Sequence, residues 1–402
     1  MKIKAVIFAV VLWVGFGSVV GAALAAAESA SLLLSGNPLE GSRLFSDKGC
    51  LGCHSVYGVG GVGGPELGQG ILKRPLLDIA GVMWNHAPGM VHLFQEQRTT
   101  LPQFKPAEMA SLLEFLYYLG SLDPPGDATT GARLFREKQC ATCHSLGGIG
   151  GKYGPTLDSY GRYASPLYLT AGLWNHGKAM AGVMQTLRVQ RPTFGKNDIP
   201  DLLAYIRSAA GGVERIYVRP GNPQVGEKLF AQKRCAQCHT ANAQGMRIGP
   251  ELRTKLKGSL ISIAGAMWNH GPNMWAKMGD VPSLGPEEMS DLISYLYFLQ
   301  FKDPSGDAKR GRVVYQEKRC SSCHTLPGVS GTVGPDLATA EKLHTPVEVV
   351  TEMWNHVGSM ERKMVEESLE WPVFKGGEMA DLITYLLSVR KEPRAAAEGK
   401  KP

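Results

Sequence analysis

Cys50-Leu51-Gly52-Cys53-His54 recurs, with only its inner residues changed, as Cys140-Ala141-Thr142-Cys143-His144, Cys235-Ala236-Gln237-Cys238-His239 and Cys320-Ser321-Ser322-Cys323-His324. These four pentapeptides use all eight cysteines, so no thiol is left for a conventional disulfide framework. A disulfide across so small a loop would be strained and contribute little. A thioredoxin-like dithiol needs a strand–turn–helix setting that is missing here, and structural zinc needs two such pairs close together or a Cys2His2 cluster. Cys-x-x-Cys-His is the attachment signature of c-type haem. Two thiols on one turn reach the two vinyl groups, and the adjacent histidine falls beneath the iron as its proximal ligand. The sequence thus predicts four covalently attached haem c groups, with His54, His144, His239 and His324 as metal ligands.

The repeat extends well beyond the pentapeptide. First cysteines lie 90, 95 and 85 residues apart, about the length of one small domain. Nine residues before each stands a glycine: Gly41, Gly131, Gly226 and Gly311. Leu44-Phe45, Leu134-Phe135, Leu229-Phe230 and Val314-Tyr315 follow it, which reads as a short amphipathic helix leading into the cysteine turn. Eleven residues after each histidine comes a Gly-Pro pair ending at Pro65, Pro155, Pro250 or Pro335. Each unit then carries Trp-Asn-His, beginning at Trp84, Trp174, Trp268 and Trp354, with a methionine four residues beyond the histidine. A closing helix with its apolar residues on one face ends the unit.

Each unit resembles the class I cytochrome c domain, and the resemblance covers nearly all of residues 38–391. It rests on Gly-x-x-Leu-Phe, Cys-x-x-Cys-His, Gly-Pro-x-Leu and a closing helix with a central aromatic residue. The resemblance implies an all-α fold of four tandem cytochrome c-like domains. It also implies that first and last helices cross at the glycine, placing Gly41 against the Phe115 helix, Gly131 against Tyr205, Gly226 against Tyr295 and Gly311 against Tyr385. The carbonyls of Pro65, Pro155, Pro250 and Pro335 are expected to accept a hydrogen bond from the proximal histidine and so orient it.

The sixth ligand departs from the family pattern. Its usual place is just before a Pro-x-Phe segment, but here Leu101, Arg191, Val281 and Trp371 precede those segments, and none of them fits. Two other sets occur in every unit. Met90, Met180, Met274 and Met360 lie 35 or 36 residues after the proximal histidine and are the favoured ligands. His86, His176, His270 and His356 are the alternative. With methionine as ligand, Trp84, Trp174, Trp268 and Trp354 are expected to pack against porphyrin, and Trp-Asn-His to hydrogen-bond a propionate.

Lys2 and Lys4, an apolar run from Ala5 to Ala27 and a small-residue end mark residues 1–27 as an export signal peptide, with an uncleaved anchor as the alternative. Both place the rest outside the cytoplasm, in the periplasm. The boundaries expected are 38–122, 128–210, 226–302 and 308–391 for the four domains, 211–225 for a linker and 392–402 for a disordered tail. Similar Asp-Pro joints at 123–128 and 303–308 suggest a duplicated block, with units one and two forming one pair, three and four the other, and a looser junction at 211–225. The formal charge of +7 on 402 residues does not point to nucleic acid, because each ferric haem brings about −1.

Haem with both axial positions filled suits electron transfer rather than substrate chemistry. The reading is an electron carrier, not an enzyme, working between a membrane oxidoreductase and a terminal reductase or outer acceptor. The alternatives are a haem-bearing subunit of a membrane-anchored complex, or a multihaem peroxidase or reductase with one open haem.

Overall fold

The computed structural model describes residues 35–68, 72–163, 165–211, 219–241, 248–301, 305–326 and 333–390. The predicted signal segment, the tail and residues 212–218 of the predicted linker lie outside the described residues. Among the described residues no helix is long and apolar enough to cross a membrane.

Three long helices make up each of the first three units. Unit one has α1 (Pro38–Asp47), α2 (Leu76–Glu96) and α3 (Pro106–Leu119). Unit two has α4 (Ala128–Glu137), α5 (Pro166–Thr186) and α6 (Asp198–Ala209). Unit three has α7 (Pro223–Gln232), α8 (Leu260–Met278) and α9 (Pro286–Phe298). In unit four the middle helix breaks at His356, giving α10 (Ala308–Glu317), α11 (Pro346–Asn355), α12 (Val357–Glu366) and α13 (Glu378–Ser388). Among the described residues the named strands form two short antiparallel hairpins just after the first two cysteine turns.

Local chemistry sets the first helix of each unit. Asn37, Asp127, Asn222 and Asp307 cap α1, α4, α7 and α10 through their side-chain oxygens. Asn222 and Pro223 make α7 begin three residues before the expected boundary, within the predicted linker. The capping residue's own N–H is held by the closing helix: Asp127 N–H donates to Asp201 at 2.8 Å, and Asp307 N–H to Asp381 at 2.7 Å.

First and last helices cross where the glycines stand. A Cβ on Gly41 would lie 1.9 Å from the Ser111 carbonyl oxygen, and one on Gly311 would lie 2.0 Å from that of Asp381. Gly131 and Gly226 meet Asp201 and Asp291 in the same way. Aromatic residues pair beside the crossing, with Phe45–Phe115 and Phe135–Tyr205 ring centroids 5.5 Å apart. Phe230–Tyr295 at 5.6 Å and Tyr315–Tyr385 at 5.9 Å complete the set.

The units do form pairs, but with other members than the joints suggest. Unit one is docked to unit four, and unit two to unit three. The Trp84 indole N–H donates to the Pro372 carbonyl at 2.8 Å, and Trp354 returns the contact to Pro102 at 2.8 Å. Asn85 brackets Phe374, accepting from its N–H at 2.7 Å and donating to its carbonyl at 2.8 Å. Asn355 brackets Phe104 with both bonds at 2.9 Å. Between units two and three the same reciprocal contact joins Trp174-Asn175 to Pro282 and Leu284, and Trp268-Asn269 to Pro192 and Phe194.

The physical reason is self-complementarity. Each Trp-Asn needs a Pro-x-Phe or Pro-x-Leu backbone to read, and each unit offers both, so two units facing one another satisfy both at once. The two pairs meet through α3 and α9, where Tyr117 packs on Tyr297 at 5.2 Å and on Phe298 and Phe301 at 5.3 Å. Gln224 also donates to the Gly36 carbonyl at 2.7 Å. Along these contacts the spatial order is four–one–three–two.

Candidate haem sites

The cysteine turn is prepared by one residue in left-handed conformation, at Gly49, Gln139, Arg234 and Arg319, with φ between 59 and 84°. That residue swings the chain off the first helix, so the two thiols and the histidine fall on one tight turn. All eight cysteines are free thiols, and burial pushes Cys50, Cys140 and Cys235 up to about 11 and Cys320 up to about 12. A reactive redox dithiol needs the opposite shift, so the first cysteine of each pair is a neutral, partly buried sulfur.

Each neighbouring histidine is fixed from two sides. Its Nδ1 faces the carbonyl of the motif proline, at 3.0 Å for His54–Pro65, 2.9 Å for His144–Pro155, 3.0 Å for His239–Pro250 and 3.2 Å for His324–Pro335. A nitrogen facing a carbonyl must carry the proton, which leaves Nε2 with its lone pair free. The glycine before the proline lies flat against the ring. A Cβ on Gly64, Gly154, Gly249 or Gly334 would approach the imidazole Cε1 to between 2.5 and 2.7 Å. That contact explains the glycine of each Gly-Pro pair, which sequence reasoning used only as an alignment mark.

In unit four these parts open onto a cavity of about 570 Å³, inside the size range of cofactor pockets. Cys320, Cys323, His324 and Pro335 form one part of its wall, and His356 and Met360 another. Burial pushes the His324 imidazole below its ordinary range, against the pull of the Pro335 carbonyl, and His356 adds to the depression. A neutral imidazole with a free Nε2 is the form that binds a metal. The donor set, the glycine cradle and the cavity all fit a haem joined at the two thiols.

Both candidate sets for the other face of the haem lie on the middle helix, one turn apart. The alternative histidines turn Nδ1 to the carbonyl four residues back: His86 to Val82 at 2.8 Å, His176 to Gly172 at 3.1 Å, His270 to Ala266 at 2.8 Å and His356 to Glu352 at 2.7 Å. Met90, Met180, Met274 and Met360 are each half-buried. His356 and Met360 line the same cavity, so the geometry of unit four brings both sets to it.

The tryptophans stand differently from the expectation. Their indole N–H groups and the adjacent asparagines are engaged with the partner unit rather than with a group in their own. Trp84 nevertheless lines a haem-sized cavity, that of unit four. Sequence reasoning assigned no role to the lysine two residues before each first cysteine. Lys48 donates to the Gln103 carbonyl at 2.7 Å and pairs with Glu108 at 3.2 Å. Lys138, Lys233 and Lys318 likewise reach Asp198, Glu288 and Glu378 of their closing helices. The repeat of the lysine at one offset in all four units was the available signal.

Comparison with known proteins agrees with this geometry. Residues 128–210 and 224–300 match the cytochrome c family model. The all-α, cytochrome c-like fold agrees with that match. A Cbb3-type cytochrome c oxidase subunit FixP from Rhizobium meliloti (strain 1021) is 27% identical over 180 residues, covering 42% of this chain and 57% of that protein. The FixP subunit from Sinorhizobium medicae (strain WSM419) is 24% identical over 187 residues, 42% of this chain and 60% of its own length. The similarity thus spans somewhat more than half the length of these relatives. No solved structure matches.

Proposed function

We propose that the chain is an exported tetrahaem c-type cytochrome that carries electrons between a membrane oxidoreductase and a terminal acceptor or reductase. The observation that supports this best is the fourfold recurrence of one arrangement, a Cys-x-x-Cys turn beside an imidazole locked by a Gly-Pro pair, with the Met/His helix lining the same cavity in unit four. Haem c, when bound, supplies a one-electron couple whose two oxidation states differ little in geometry. Thioethers at Cys50, Cys53, Cys140, Cys143, Cys235, Cys238, Cys320 and Cys323 would hold it. His54, His144, His239 and His324 would be proximal ligands, and Met90, Met180, Met274 and Met360 the sixth. The proline carbonyls keep each proximal imidazole proton on Nδ1 and its ring in one orientation.

The histidines of Trp-Asn-His are a second reading for the sixth ligand, favoured by the Nδ1 lock that frees each Nε2. A long-wavelength sulfur-to-iron band in the ferric protein at full haem intensity supports methionine, and its absence in a low-spin spectrum moves the ligand to the histidines. The FixP similarity raises the alternative of a haem subunit in a membrane oxidase complex. The test is reduction of the purified ferric protein by respiring membranes and its reoxidation by an added acceptor. Failure of membranes to reduce it contradicts the carrier reading, and recovery only in complex with oxidase subunits supports the alternative.

A further inference from the structure

We infer that Arg191 raises the potential of the haem of unit two. The inference rests on the tetrahaem reading. The residue before each Pro-x-Phe or Pro-x-Leu segment is Leu101, Arg191, Val281 or Trp371. Two of these cover the indole of the docked unit. Trp371 donates to the Trp84 carbonyl at 3.0 Å and stacks on its ring at 4.4 Å and 23°. Arg191 donates to the Trp268 carbonyl at 2.6 Å, with its guanidinium carbon 3.9 Å from the Trp268 ring centroid and 5.4 Å from that of Trp275. The two side chains therefore do the same mechanical work in equivalent clamps. They differ by one positive charge.

That charge adjoins a residue whose counterpart walls a haem-sized cavity. Trp84 and Pro372, the two residues joined in the neutral clamp, both line the cavity of unit four. Trp268 and Pro192 are joined identically, and Arg191 adjoins Pro192 in the chain. The guanidinium is also poorly neutralised. Among the described residues it has no carboxylate within ion-pair distance, and its buried Nε has no hydrogen-bond partner. A fixed cation between aromatic walls acts at lower dielectric than one in water. Reduction of ferric iron lowers the local charge by one, so the nearby cation favours the ferrous state and raises the potential.

The test is a potentiometric titration, followed by visible absorption, of the haem-loaded full chain carrying Arg191→Met, Arg191→Lys or Trp371→Arg. Arg191→Met is expected to shift the reduction equilibrium of one of the four centres, that of unit two, about tenfold towards ferric, which is 59 mV for a one-electron couple. Arg191→Lys should retain most of the wild-type value, and Trp371→Arg should raise the unit-four centre. Four unchanged potentials in a folded, fully haem-loaded Arg191→Met protein overturn the inference, as does an equal fall in Arg191→Lys. If Arg191→Met does not fold, Trp371→Arg decides the matter alone. A wild-type protein with fewer than four haems instead overturns the tetrahaem reading, before any potential is compared.

Discussion

Replacing Asn355 by alanine should loosen the docking of unit four on unit one while leaving each unit folded. The side chain makes two hydrogen bonds to the Phe104 backbone, both at 2.9 Å, and Phe104 is 4% exposed. A net hydrogen bond is worth about 1 kcal/mol, and a buried backbone group left without a partner costs about 1–3 kcal/mol. Alanine cannot replace either bond, so the expected loss is about 2–4 kcal/mol. For a pair of units of this size each kcal/mol lowers the melting midpoint by about 2–4 °C. The assay is thermal unfolding followed by calorimetry and far-ultraviolet circular dichroism, with Asn273→Ala as control. Asn273 is exposed on α8 and makes none of these contacts, so its replacement should stay within about 0.5 kcal/mol. The expected result is an early transition in Asn355→Ala alone. Equal behaviour of the two variants would refute the idea that the asparagines hold the pairs together.

Gly311→Ala should abolish folding of unit four, because the added Cβ would overlap the Asp381 carbonyl at 2.0 Å and helices α10 and α13 cannot separate without opening the core. Limited proteolysis would show the unit cleaved while the others survive. Hydrogen bonds from the Lys105 N–H to Glu108 and from Lys233 to Glu288 hold those carboxyls below their ordinary range. Their contribution is present above the unfolded carboxylate range and disappears as pH falls through the lower folded values, so urea midpoints should drop on acidification below about pH 4. Glu114 behaves oppositely. Burial pushes its carboxyl up to about 8, and only one of its oxygens, accepting from Gly36 N–H at 2.7 Å, is engaged. Stability should therefore fall as pH rises from about 4.5 to 8, and Glu114→Gln should remove that slope and stabilise the chain by a few kcal/mol at pH 8.

The parts of each unit that depend on nearby residues were legible in the sequence. Cys-x-x-Cys-His, the Gly-Pro pair eleven residues later and the glycine–aromatic crossing are short patterns whose geometry follows from backbone reach and steric room. The pairing of units was not legible. Trp-Asn and its target backbone occur in all four units, so nothing local says which unit docks on which. The resemblance of the joints at 123–128 and 303–308 records how the blocks repeat along the chain, while docking is decided by which surfaces close reciprocally. Arg191 and Trp371 were recognised as unfit for the usual ligand position, but their role is visible only once Trp268 and Trp84 from another unit lie beneath them.

The central claim is that four equivalent sites each bind a haem through two thioethers. Intact-mass spectrometry of the exported protein, denatured before measurement, tests it most directly. The account predicts one species heavier than the polypeptide by four haem masses, with no thiol available to an alkylating reagent. A mass equal to the bare polypeptide, or eight alkylatable thiols, would contradict it.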